Sequence, residues 1–200
     1  ASLDERIAFD VALLPSRQIE ELAFQCNAEL SGVRAGIYPR FEPVNGQGEG
    51  CLPHVTLAQG FIDRRNEERI KEKLRRLAGR IGREYSPLSL KVTDAYTHTL
   101  SNGRVVIGLA VEKTPVLQYV HQEVMFALRR GVTYDGDLSA FYRRDGEVLD
   151  DFSLEPVITY RETAFNNFFP HITLGIGKKT EVVVLDKPLK EEAIVLALTQ

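Results

Sequence analysis

A chain of 200 residues is long enough for one large domain or two small lobes, and its 44% hydrophobic and 26% charged residues can fill and solvate an ordinary core. A net charge of −3 excludes a uniformly basic surface for nucleic acid or membrane, so an anionic ligand must be met by a local site. No apolar run approaches the ~18 residues of a membrane span, and Cys26 and Cys51 are too few for a disulfide framework or a zinc cluster. The start "ASLDERIAFD" carries charges where a signal peptide needs an apolar centre. Its Ala1 suggests a processed or artificially set end, and a reduced, cytoplasmic setting is the simplest expectation.

In chain order, "IAFDVALLP" alternates and predicts a half-buried strand, with Ile7, Phe9, Val11 and Leu13 on one face and Ala8, Asp10 and Ala12 on the other. Ser16 is placed to cap a helix running to about Leu30, with Ile19, Leu22, Ala23 and Cys26 on its apolar face. "FEPVNGQGEG" reads as a loop, and a strand follows from His54. Asp63 opens a long helix with Ile70, Leu74, Leu77 and Ile81 as its stripe. "LSLKVTDAYTHTLSNGRVVIGLAVE" reads as a hairpin turning at Ser101-Asn102-Gly103. Thr114 caps a helix with Pro115 in its first turn, ending near Arg130. "SAFYRRDGEVLDD" reads as a hairpin turning at Asp145-Gly146, and "EVVVLD" and "AIVLALT" read as the last strands.

One segment is written twice: "CLPHVTLAQG" from Cys51 and "FFPHITLGIG" from Phe168. A second Pro-His-(Val/Ile)-Thr-Leu arises by chance roughly once in ten thousand chains of this length on average composition. The order strand, cap, helix, loop, Pro-His strand also repeats, which predicts an internal duplication with its elaborated loop between Gly131 and Phe169. On a strand, residues i and i+2 share a face, so His54, Thr56 and Ala58 are expected to point one way, and His171, Thr173 and Gly175 likewise. The small third residue would leave room for a ligand beside imidazole and hydroxyl. A histidine in a single strand is ordinarily structural, but a merely structural duplicate has no need to keep both His and Thr. Two imidazoles suit paired proton transfer, one taking a proton from water and the other giving one to a leaving oxygen. Two hydroxyls can donate to the oxygens of a phosphate, and in-line displacement at phosphorus needs groups on opposite sides. None of this chemistry calls for a metal or cofactor.

The two His-x-Thr elements, "HVTL" and "HITL", resemble the signature of the 2H phosphoesterase superfamily, which includes the 2′-5′ RNA ligase-like proteins and cyclic nucleotide phosphodiesterases. "IAFDVALLP" resembles that family's first strand, which commonly ends in Leu-Pro. The resemblance implies an α+β, bilobal fold: two antiparallel sheets related by pseudo-twofold symmetry, helices outside, and a central groove. One domain would cover residues 1–200, with pseudo-repeats of about 1–100 and 101–200. It implies hydrolysis of a 2′,3′-cyclic phosphate or related nucleotide or RNA-end phosphodiester by a monomer, with His54 and His171 as acid/base pair and Thr56 and Thr173 on the phosphate. The alternatives are cleavage of a 2′-5′ or cyclic oligonucleotide, and a non-catalytic nucleotide or RNA-binding module. RNA ligase-like members often place an aromatic residue after the first motif and an arginine after the second. Here Ala58-Gln59-Gly60 and Gly175-Ile176-Gly177 stand there, leaving Lys178 or Lys179 as a substitute cation.

Four further positions are candidates for substrate binding. Asp10, on the strand face away from Ile7 and Phe9, can orient a histidine or hold a ribose hydroxyl, or sit in solvent at a strand end. Arg40, in a loop before the first motif, can meet an anion or simply lie at the surface, and Lys178 can substitute for the missing arginine. Phe169 belongs to an aromatic- and arginine-rich insertion that either packs as structure or sets substrate choice by stacking on a base. His98 and His121 lack a motif partner and read as structural or surface residues. The Arg- and Lys-rich face of the 64–83 helix, interleaved with Glu67, Glu68 and Glu72, reads as solvated.

Overall fold

The alternation of the first strand and the stripe of the long helix both become buried faces in the computed structural model, which describes residues 5–15, 17–45, 50–85, 88–142, 151–181, 183, 189–191 and 194–199. Strand β1 spans Arg6–Pro15 and helix α1 Arg17–Glu29. The expected cap, Ser16, lies outside the described residues. "SGVRAG" does not simply end α1 but forms a further turn, α2, at Ser31–Arg34. Strand β2 spans Val55–Asp63. The Asp63 side chain then accepts the Arg65 N–H and starts a 3₁₀ turn, so that helix α3 begins later, at Glu67–Glu84. Ile70, Leu74, Leu77 and Ile81 of α3 are all buried, at about 2 kcal/mol of transfer free energy each. Strands β3 (Leu90–Thr99) and β4 (Val105–Val111) form the expected hairpin. Helix α4 (Pro115–Leu128) begins as expected, the Thr114 hydroxyl accepting from Leu117 N–H.

After the two-residue strand β5 (Val132–Thr133), the insertion departs from expectation. Leu138–Ala140 is a 3₁₀ turn and Asp151–Ile158 a helix, α5; residues 143–150, which hold the expected hairpin turn, lie outside the described residues. Leu154 and Val157, three apart on α5, pack against Ala8, Phe61 and Ala140, a helical spacing that wins over a hairpin in this stretch. Strands β6 (His171–Gly177), β7 (Leu189–Glu191) and β8 (Ile194–Thr199) complete the fold. Of "EVVVLD", Glu181 and Val183 belong to no strand and the rest lies outside the described residues.

The strands do not form two sheets. They join in one antiparallel sheet of order β7-β3-β4-β6-β2-β1-β8, with β5 also on β2. Its seam is a single pair, Val55 with Ile172, joining β2 to β6. Both side chains are wholly buried. β3, from the first half of the chain, lies beside β4, and β8, from the second half, lies beside β1.

Both Pro-His strands carry a bulge at the same place. On β1 and β2, Val11 pairs with Ala58 but Ala12 with Thr56, so Leu57 is extra. On β4 and β6, Ile107 pairs with Gly175 but Gly108 with Thr173, so Leu174 is extra. A bulge reverses the alternation beyond it. Ala58 and Gly175 therefore leave the face of His-x-Thr, contrary to the simple strand reading, and both are buried. Gly175 has φ +150°, and a Cβ there would meet Leu30 and Val33 at 3.0 Å.

Candidate active site

The single seam pair positions the four motif residues. With Val55 paired antiparallel to Ile172, the flanking His54 and Thr56 are set beside Thr173 and His171 on the same face. Two copies of one sequence thus bring two imidazoles and two hydroxyls together on the sheet face opposite the buried Val55 and Ile172.

Each imidazole is tethered identically. Nδ1 of His54 donates to the Leu52 carbonyl at 2.9 Å, and Nδ1 of His171 donates to the Phe169 carbonyl at 2.7 Å. A carbonyl only accepts, so Nδ1 carries the proton in both rings and Nε2 is the nitrogen turned to the site. The surroundings then diverge. Nε2 of His54 lies 3.6 Å from Oδ2 of Asp10, which also accepts the Thr56 hydroxyl at 2.7 Å. Burial presses the His54 imidazolium down, but the Asp10 hydrogen bond and charge together with the Leu52 carbonyl outweigh it, and its pKa is raised. His171 has no such carboxylate. Burial, helped by the nearby His54, holds its pKa below the ordinary imidazole value against the pull of the Phe169 carbonyl and the more distant Asp10.

Aromatic side chains wall the His171 side. Phe169, half exposed, stacks on the His171 ring at 5.3 Å and 19°, and Tyr96 meets both edge-on at 5.4 and 5.5 Å. The Tyr96 hydroxyl is hydrogen-bonded to Thr173, and burial pushes its pKa up to about 12. Tyr96 pairs with Gly108 in the β3–β4 hairpin, and a Cβ at 108 would lie 2.5–2.6 Å from the Tyr96 ring. Tyr160, from the insertion, is buried near Asp10, and burial followed by that carboxylate and Tyr134 raises its phenol pKa.

Of the candidate residues, His54, His171, Thr56, Thr173, Asp10 and Phe169 are therefore brought together. Arg40 is exposed between α2 and β2, with no hydrogen bond or ion pair to these residues. Lys178 is exposed seven residues past His171, about 23 Å along an extended chain, and its carbonyl accepts the Glu181 N–H at 3.0 Å. It does not reach the site as a substitute arginine. His98 is exposed on β3, while His121 is fully buried. Tyr96 and Gly108 escape sequence reasoning, which reaches Tyr160 only as one of the insertion's aromatics. The only signal for Tyr96 would have been a large residue facing a glycine, which requires the hairpin register. A separate cavity of about 610 Å³ between α4, β5 and residues 158–165 contains none of the four motif residues. The guanidiniums of Arg129 and Arg161 at that cavity rest on the rings of Phe126 and Tyr134. Among the described residues no group of three or more His, Cys, Asp or Glu is placed to hold a metal ion, and no helix is long and apolar enough to cross a membrane.

No family model matches the chain, and no curated protein does. Solved structures similar to it include Kluyveromyces marxianus Usb1 with uridine monophosphate, at 13% identity and TM-score 0.39 over 90% of this chain and 74% of that one. They also include Escherichia coli LigT complexed with NADP+, at 21% identity and TM-score 0.43 over 97% and 87%. Likenesses this distant carry no function over to this chain.

Proposed function

We propose that this chain is a metal-independent phosphodiester hydrolase that opens a 2′,3′-cyclic phosphate or a related nucleotide or RNA-end phosphodiester. The reading treats residues 1–200 as one domain whose halves, about 1–100 and 101–200, are diverged copies facing each other across a groove. One observation carries it: two imidazoles with the same Nδ1 tether expose Nε2 to one site, and their pKa values are displaced in opposite directions. Neighbouring titratable groups pushed apart in this way divide into an acid and a base.

His171, held neutral, accepts a proton from water at Nε2 as the water oxygen bonds to phosphorus. His54, held protonated by Asp10, gives its Nε2 proton to the leaving ribose oxygen as the P–O bond breaks. The product is a phosphomonoester, and each imidazole ends in the other's starting state, to be reset by solvent. The hydrogen-bonded pair of Thr173 and Tyr96 has one hydroxyl proton left to offer a phosphate oxygen. Thr56 donates its hydroxyl proton to Asp10 and so holds that carboxylate, besides any contact it makes with the phosphate. Phe169 offers a half-exposed ring on which a base can stack.

The test is a screen of 2′,3′-cyclic nucleotides, 2′-5′ oligonucleotides and cyclic dinucleotides in EDTA, with products identified by mass. Turnover of one class is expected, abolished by His54→Ala and by His171→Ala with folding intact, since acid and base steps each contribute about 10²–10⁴-fold. Loss of activity in EDTA, restored by zinc or magnesium, would overturn the two-histidine mechanism. Binding without turnover of any substrate would favour the non-catalytic module.

A further inference from the structure

Among the described residues, two polar or charged side chains are fully buried: Asn27 on α1 and His121 on α4. They make matching connections. Asn27 Nδ2 donates to the Leu174 carbonyl at 2.8 Å, and its Oδ1 accepts the Phe41 N–H at 2.8 Å. His121 Nδ1 donates to the Leu57 carbonyl at 2.7 Å, and its Nε2 accepts the Phe165 N–H at 2.9 Å. Leu174 and Leu57 are the extra residues of the two bulges. Phe41 and Phe165 lie in the stretches leading to His54 and His171. The connections cross between halves: α1 follows β1 yet holds β6, and α4 follows β4 yet holds β2.

The bulge decides which way the motif faces. A one-residue slip back to regular pairing would move residues on one side of it to the other face of the sheet. The bulged carbonyl is also buried and needs a donor. Each side chain supplies that donor and uses its acceptor to tie the bulge to the loop that leads into the other Pro-His strand. His121 can do so only as the neutral Nδ1–H tautomer, since one ring nitrogen faces a carbonyl and the other an N–H. Further contacts fix both loops. Asn27 also donates to the Pro39 carbonyl at 3.1 Å, and the His121 ring stacks on Phe168 at 4.0 Å and 3°. Phe165 has φ 55°, in the left-handed region that a bulky residue adopts only when held. His121 holds its N–H, and Gln118 donates to its carbonyl at 3.0 Å.

We propose that Asn27 and His121 are paired positioning residues, each pinning the bulge of the Pro-His strand from the opposite half and thereby setting how His54–Thr56 and His171–Thr173 face one another. The inference rests on the two-histidine reading and adds to it residues that touch no substrate. Asn27→Leu removes both kinds of hydrogen bond while keeping the same branched outline. His121→Phe does the same while keeping a ring to stack on Phe168, and His121→Gln restores a donor and an acceptor.

The experiment compares these variants in two readouts: kcat and KM on the substrate the wild-type protein turns over, and NMR titration of His54 and His171 in the ligand-free protein. In Asn27→Leu and His121→Phe, kcat is expected to fall at least about tenfold with KM within about threefold, as for a lost placement and not a lost binding contact. His121→Gln is expected to recover most of the loss. The gap between the two histidine titrations is expected to narrow as His54 parts from Asp10 and His171 opens to water. The two connections are independent, so one folded variant decides. Wild-type kcat and titrations in a folded Asn27→Leu or His121→Phe overturn the proposal, and so does unfolding of both, which would make the residues plain stabilisers. If the wild-type protein turns over nothing, the hydrolase reading fails alone, and the titrations still decide this inference.

Discussion

Replacing Asp10 by Asn removes a charge 3.6 Å from His54 Nε2 while leaving an amide oxygen to accept the Thr56 hydroxyl. Coulomb's law sets the attraction between about 1 kcal/mol at a dielectric constant of 80 and about 5 kcal/mol at 20. The His54 side chain is 37% exposed and Asp10 21%, so solvent screens the pair towards the lower end, about 1.5–2.5 kcal/mol. Losing that attraction lowers the His54 titration. If His54 is the acid, its pKa sets the alkaline limb of the kcat/KM profile, because above it the proton is gone. That limb is expected to move to lower pH with it. At 1.36 kcal/mol per tenfold, the loss is about 10- to 70-fold on the alkaline side of the profile and much smaller on the acid side. A group raised in the folded state adds stability below its unfolded pKa of about 6.5 and loses it as pH rises through the folded value. The stability deficit of the variant should accordingly be greatest below about pH 6.5 and fade above. The assays are a pH–rate profile, NMR titration of His54, and denaturant unfolding at two pH values. An alkaline limb and a His54 titration that stay in place would refute the role of Asp10.

Gly108→Ala puts a Cβ 2.5–2.6 Å from the Tyr96 ring and must swing that ring off Thr173 and His171. A cost of about 1–3 kcal/mol in unfolding and a tenfold or greater loss of kcat are expected, and Gly108→Ala with Tyr96→Ala should recover stability without activity. Thr56→Ala should cost less activity than His54→Ala and lower the His54 titration by freeing Asp10 to move; a loss as large as that of His54→Ala would mean that the hydroxyl acts on the substrate. Thr114→Ala removes the α4 cap and should cost about 1 kcal/mol in thermal or denaturant unfolding with kcat unchanged.

The pair of imidazoles was legible because its evidence is local: five residues written twice, each with strand alternation. Asp10 was legible for the same reason, since the alternation of "IAFDVALLP" sets it apart from Ile7 and Phe9. The bulges were not, because Leu57 and Leu174 read as ordinary apolar strand positions, and only the partner strand reveals that one residue is extra. His121 was hidden in the same way. Its partners are backbone atoms of Leu57 and Phe165, which have no signature in residue types, so a lone histidine among Leu117, Val124 and Leu128 reads as core. The sheet misled for a third reason. Duplication suggests two equal units, whereas β3 and β8 each complete the side built mainly from the other half, a pairing decided by tertiary contacts far apart in sequence.

A duplicated motif poses a chemical problem, since two identical histidines in identical surroundings would titrate together and neither would be committed to acid or base. The register shows where the copies part. Ala12 lies across from Thr56, and Gly108 lies across from Thr173. Two residues earlier on the same face stand Asp10 on β1 and Val106 on β4, so one histidine gains a carboxylate where the other has a buried aliphatic chain. On the next strand outward the difference reverses. Gly108 pairs with Tyr96, whose ring walls in His171, whereas Ala12 pairs with Ala197. The first substitution raises one imidazole by charge, and the second helps lower the other by burial. Neither position lies within a motif, and under the proposed mechanism exchanging their contents should exchange the acid and the base. The repeated five residues would then supply the reacting groups, and the unrepeated neighbours would assign their roles.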